Sequence, residues 1–204
     1  MKLPTFALIA AVASSAFAGV PASPKGTLAV AREQPIYRDN AFDIETGMIW
    51  QVGSNTSIHY RLVPTQFAWR TPRWFGYDFD NGASISLRNR FALLATWVEN
   101  GPEDQYLGFM ASPSVEYWNK DCTWSVYAGA GGGVGWIDSQ GVEGGQGQDF
   151  TLNWFAHLGV QHVLTNTLSL RAGALFQHMS NGGATDPNPG IDALGFTIGA
   201  SWRF

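Results

Sequence analysis

Three residues near the carboxyl-terminal end of the chain could together perform acyl transfer. His178 and Ser180 stand two apart, and Asp192 follows after a short polar, glycine-containing segment. On a β-strand, residues i and i+2 share a face, so an extended segment here presents the imidazole and the hydroxyl side by side. A serine, a histidine and an acid within mutual reach are the set that nucleophilic ester chemistry needs. The imidazole takes the hydroxyl proton, and the carboxylate fixes its tautomer and stabilises the imidazolium. Asn181-Gly182-Gly183 comes directly after the serine. It offers an amide side chain and backbone N–H groups to a developing oxyanion.

Such a set works only if the elements around it hold it in register. Hydrophobicity after residue 40 alternates with a period of two, the mark of half-buried strands. Strands are expected near 41–53, 57–70, 84–98, 105–118, 123–137, 149–164, 167–180 and 191–204. In the strand over 149–164, Phe150, Leu152, Trp154, Ala156, Leu158 and Val160 share a face, opposite Thr151, Asn153, His157 and Gln161. In the next strand, Leu168, Leu170, Ala172, Ala174, Phe176, His178 and Ser180 oppose Ser169, Arg171, Gly173, Gln177 and Met179. Arg171 and Gln177 suit a wet interior, so His178 and Ser180 are expected to point outward. The last strand aligns Asp192 with Leu194, Phe196, Ile198, Ala200, Trp202 and Phe204, which puts Asp192 outside too. If Ser180 pairs near Asp192, His178 lies one step along the same face and diagonal to the carboxylate, within side-chain reach.

Composition says what surrounds this outer face. Charged residues make up 14% of the chain and aromatics 14%, with 24 glycines and 9 tryptophans. Soluble domains carry roughly 25% charge; a deficit this large suits a surface that meets lipid. The net charge of −4, without a Lys/Arg cluster, excludes nucleic acid as the main partner. Lys2, the apolar run Phe6–Ala13 and Ala16-Phe17-Ala18 read as an export signal over 1–18, followed by a leader over 19–40. No stretch approaches the ~20 apolar residues of a spanning helix, so a membrane must be crossed by a closed barrel. The expected fold is therefore all-β: an eight-stranded antiparallel barrel over 41–204 in a bacterial outer membrane.

The connections fit that reading with one exception. Asn119–Cys122 and Thr165-Asn166 are tight turns, and 137–149 and 181–190 are longer loops, as expected of the periplasmic and extracellular ends. Residues 71–83 are long for a periplasmic turn; a plug, a short helix or a misplaced strand boundary would each account for them. Gly129, Gly131, Gly133 and Gly135 should face the interior and leave room for larger neighbours. The terminal Ser201-Trp202-Arg203-Phe204 resembles the closing aromatic signature of outer-membrane barrels.

Other residues carry weaker signals. His59, His157 and His162 are scattered, and His157 falls on the interior face. Glu99, Glu103 and Asp104 cluster in an expected extracellular loop, where a solvated loop explains them better than a cation site. Cys122, with no histidine near it in sequence, reads as an incidental thiol at a turn. Gly144–Gly147 lacks the strand-to-helix setting and the lysine of a phosphate-binding loop.

By spacing alone, polar residues at a barrel rim are adequately explained by headgroups and water. Resemblance changes the balance. The segment Phe176-Gln177-His178-Met179-Ser180-Asn181-Gly182-Gly183, with Asn188–Asp192 and the Trp202-Arg203-Phe204 ending, resembles the lipid A 3-O-deacylase family of outer-membrane barrels. The likeness is sharp from Asp149 onward and diffuse before it. It implies hydrolysis of the 3-O-linked acyl chain of lipid A, with lipopolysaccharide as the partner and no metal or organic cofactor. It assigns Ser180 as nucleophile, His178 as general base, and Asn181 and the backbone of Gly183 as oxyanion donors. The family's third member is a glutamate; Asp192, one methylene shorter, stands at the matching position. An outer-membrane phospholipase and a non-enzymatic barrel serving adhesion or envelope integrity are the alternatives. The oligomeric state is left open by the sequence, a homodimer among the choices.

Overall fold

The computed structural model describes residues 38–204. The expected export signal and all but the end of the leader lie outside the described residues. Nine strands follow in order: β1 (Ala41–Gln51), β2 (Arg61–Arg70), β3 (Phe75–Asp78), β4 (Ser84–Asn100), β5 (Gln105–Trp118), β6 (Trp124–Ile137), β7 (Phe150–Val163), β8 (Leu168–Ser180) and β9 (Ile191–Arg203). Every pairing is antiparallel. β1 pairs with both β2 and β9, and β2 also pairs with β4, so eight strands close into a barrel and β3 lies outside the ring. Closure leaves no unpaired edge within the ring, the condition for crossing hydrocarbon with strands.

The alternation is the cause of this arrangement. Along β7, exposed Phe150, Leu152, Trp154, Ala156, Leu158 and Val160 interleave with buried Thr151, Asn153, Phe155, His157 and Gln161. Slipping one strand by a residue would reverse its faces, sending polar groups into lipid and apolar ones inward. The expected interior glycines are covered as anticipated. The ring of Tyr106 lies over Gly135, where an added Cβ would come within 2.4 Å of it.

Two expectations are refined. Residues 71–83 are neither plug nor helix. They hold β3, which pairs with the start of β4 (Phe75↔Leu87, Tyr77↔Ile85) and extends it as a hairpin at the short-turn end. The interior is also filled with side chains. Its short-turn half is a packed ion network: Arg70 donates to Asp43 (2.8 Å), Glu116 (2.5 Å) and Ser201 (2.8 Å), and Arg171 to Glu45 (3.1 Å) and Gln161 (2.8 Å). Arg90 binds Glu45 (3.1 Å) and Gln66 (2.8 Å). The other half is apolar, with Ile49, Leu62, Leu94, Met110, Phe155, Leu175 and Met179 buried together. A void of about 10 Å³ remains between Arg90, Tyr127, His157 and Arg171.

Cys122 sits at the β5–β6 turn with φ 50° and packs with Val163 against buried Trp118, a structural setting.

Candidate active site

β8 and β9 carry the site, and their register decides its geometry. His178 pairs directly with Asp192, and Met179 with Ile191, so Ser180 lies just past the last pair. The sequence expectation had Ser180 near Asp192 and His178 diagonal to it. In the observed register the imidazole and the carboxylate stand opposite each other across the ladder. Direct opposition brings Cβ atoms to roughly 5 Å. The shorter acid therefore reaches without a bridging water: His178 Nδ1 lies 2.7 Å from Asp192 Oδ1. On its other side, His178 Nε2 lies 3.0 Å from Ser180 Oγ. Each ring nitrogen thus has one partner. With the proton on Nδ1 donated to the carboxylate, Nε2 is left to accept from the serine hydroxyl.

All three side chains are on the outer face, in the same alternation as Leu170, Ala172, Phe176 and Leu194. They stand near the strand ends that carry the longer loops, a level shared with exposed Trp50, Trp97, Trp136 and Phe150. Aromatic belts mark membrane–water interfaces, so the site lies where the headgroups of the outer leaflet meet the acyl chains. The His178 and Asp192 side chains are 23% and 18% exposed, low enough to strengthen the contact between them yet open to a substrate.

The β7 side contributes a residue that the sequence reading left unassigned. Trp154 pairs with His178 in the ladder, and its indole lies nearly parallel to the imidazole at 5.9 Å and against Phe176 at 4.8 Å. This aromatic wall fixes the ring plane of His178 from the side opposite Asp192. Gly190 supports the same ring, since a Cβ there would sit 3.4 Å from His178 Cε1, and its φ of +70° favours glycine independently.

The loop over 181–190 is tied together by Asn181. Its amide nitrogen lies 2.6 Å from the Gln146 carbonyl oxygen, 2.8 Å from that of Thr185 and 3.2 Å from that of Pro187. Its Oδ1 accepts from the Gly183 N–H at 2.8 Å. Both groups expected to face an oxyanion are thus committed within the loop in this conformation. The physical reason is proximity: the loop folds back on Asn181 beside the β6–β7 loop, and the carbonyls of Thr185, Pro187 and Gln146 satisfy the amide before any substrate does. Gln146 and Asn188 are further residues missed from sequence. Gln146 Oε1 accepts from Gly190 N–H, and Asn188 Oδ1 from Asn181 N–H, at 3.2 and 2.9 Å.

Of the weaker candidates, His157 is interior as expected, with Nε2 3.0 Å from Thr197 Oγ1 and 3.3 Å from the Tyr127 hydroxyl. The acidic loop cluster is not simply solvated. Glu99 pairs with Arg61 at 2.5 Å. Glu103 is buried and accepts from Tyr60 and Ser139, both at 2.8 Å. Burial, with the Glu103 carboxylate beside it, pushes the Tyr60 phenol up, so it stays a donor.

A family model described as "Lipid A 3-O-deacylase (PagL)" matches residues 63–201, more than half of the chain. Among solved structures, the outer membrane enzyme PagL is similar with a TM-score of 0.54 at 16% identity, covering 79% of this chain and 97% of its own. Neisserial surface protein A is similar at 0.52 and 16% identity, covering 81% and 97%. No curated protein matches. The two structural likenesses speak for the barrel fold; the family match speaks for more.

Proposed function

The chain belongs to the lipid A 3-O-deacylase family, and from that premise we propose that Ser180, His178 and Asp192 are the catalytic triad with which this outer-membrane hydrolase removes the 3-O-linked acyl chain of lipid A. The observation that carries the reading is the unbroken line of contacts, Ser180 Oγ to His178 Nε2 at 3.0 Å and His178 Nδ1 to Asp192 Oδ1 at 2.7 Å, on a lipid-facing surface.

Ser180 Oγ attacks the ester carbonyl as its proton passes to His178 Nε2. Asp192 holds the other ring proton and stabilises the imidazolium, without itself becoming protonated. Collapse of the tetrahedral intermediate releases the 3-hydroxyl of the sugar, which takes the proton from Nε2, and leaves the acyl group on Ser180. Water, activated by the same imidazole, then frees the fatty acid. For Asn181 and the Gly183 N–H to serve as oxyanion donors, the 181–190 loop must give up some of its internal bonds when substrate binds. The site's position suits this substrate, because the ester lies at the interface and can reach Ser180 without leaving the bilayer.

The test is mass spectrometry of lipid A after lipopolysaccharide is incubated with the wild type or with Ser180→Ala. Loss of one 3-hydroxyacyl chain with the wild type alone supports the proposal. Release by both proteins would remove Ser180 from the mechanism. Release by neither, from folded barrels, would turn the reading toward a phospholipid ester or a non-enzymatic role.

A further inference from the structure

We propose that Asn55, on the β1–β2 loop, is a positioning residue for this reaction: it holds the Asp192 carboxylate in the orientation that His178 needs. The inference rests on the triad reading above. Asp192 has two carboxylate oxygens, and His178 uses only Oδ1. The other, Oδ2, accepts a hydrogen bond from the Asn55 side-chain amide, contributed by a segment 137 residues away in sequence. The same loop reaches Asp192 through the backbone, since the Val52 N–H donates to the Asp192 carbonyl at 2.8 Å. Between these two anchors lies Gly53, whose φ of +79° turns the chain over the acid; a Cβ there would stand 4.0 Å from Oδ2.

The need for such a tether follows from the chemistry. A carboxylate on a strand rotates about χ2, a broad torsion with no sharp preference. At the rim, water competes for both oxygens. A donor on Oδ2 pins the carboxylate plane so that Oδ1 stays aimed at Nδ1, and it satisfies the oxygen that the imidazole leaves over. Because Asn55 is exposed, its truncation leaves the packed barrel alone.

The decisive measurement is a double-mutant cycle on deacylation of lipid A by the full barrel in detergent. Asn55→Ala should lower kcat roughly tenfold with KM within twofold. In an Asp192→Ala background the same substitution should change nothing, because the group through which it acts is gone. Asn55→Asp, which sets a second carboxylate against Asp192, should be worse than Asn55→Ala. A tenfold loss that persists in the Asp192→Ala background would mean that Asn55 only shapes the loop, and would overturn the proposal. So would an Asn55→Ala enzyme within twofold of wild type while Ser180→Ala and Asp192→Ala are impaired. If instead Ser180→Ala remains active, the triad reading itself fails, an outcome distinct from either.

Discussion

Two clusters of acids and bases lie on opposite sides of the same barrel wall, and they behave differently because of what saturates them. Inside, Asp43, Glu45 and Glu116 meet Arg70, Arg88, Arg90 and Arg171 in a buried network where each acid has cationic partners. Outside, Asp192 meets one histidine and one amide, and the histidine meets one serine. The histidines make the contrast sharp. His157 is enclosed between Tyr127 and Thr197, whereas His178 keeps a partly open edge toward lipid. Residue type does not separate the structural cluster from the one proposed as catalytic; the number of partners each group has and its exposure do.

The comparison is open to attack from both sides of the wall. Ser180→Ala should reduce kcat/KM for lipid A by roughly 10⁴-fold or more, as in other serine hydrolases, with the heat-dependent gel mobility of the folded barrel unchanged. Asp192→Asn keeps the shape but accepts the wrong imidazole tautomer; we expect a loss of about 10³–10⁴-fold, read in the same assay. On the inner side, Arg70→Ala strands Asp43 and Glu116, and should destabilise the barrel by about 3–5 kcal/mol in urea unfolding. Activity per folded molecule should stay within twofold. His157→Gln should cost only about 1 kcal/mol and leave turnover intact. A large activity loss from either interior variant, in protein shown to be folded, would break the division.

Much of this was legible in the sequence, for physical reasons. Alternation over β7, β8 and β9 is an address code: it sent Arg171 inward and His178, Ser180 and Asp192 outward, and the structure places them there. The register was not legible. A two-residue turn would have fixed the β8–β9 pairing, but the 181–190 loop is long enough to allow several. The observed one sets His178 rather than Ser180 against Asp192. β3 escaped because Phe75-Gly76-Tyr77-Asp78 is short and breaks the alternation, its residues being exposed on both faces. The buried Glu103 escaped because its partners, Tyr60 and Ser139, arrive from two other loops. Asn55 carried no local signal at all.

The filling of the barrel has a last consequence, for the membrane rather than for the ester. Charged packing at one end and apolar packing at the other fill the bore with side chains, and the void of about 10 Å³ between Arg90, Tyr127, His157 and Arg171 is itself the size of roughly one water. A planar bilayer holding many copies should therefore keep its electrical resistance. A hydrolase filled in this way should sit in the outer membrane without opening a path for ions.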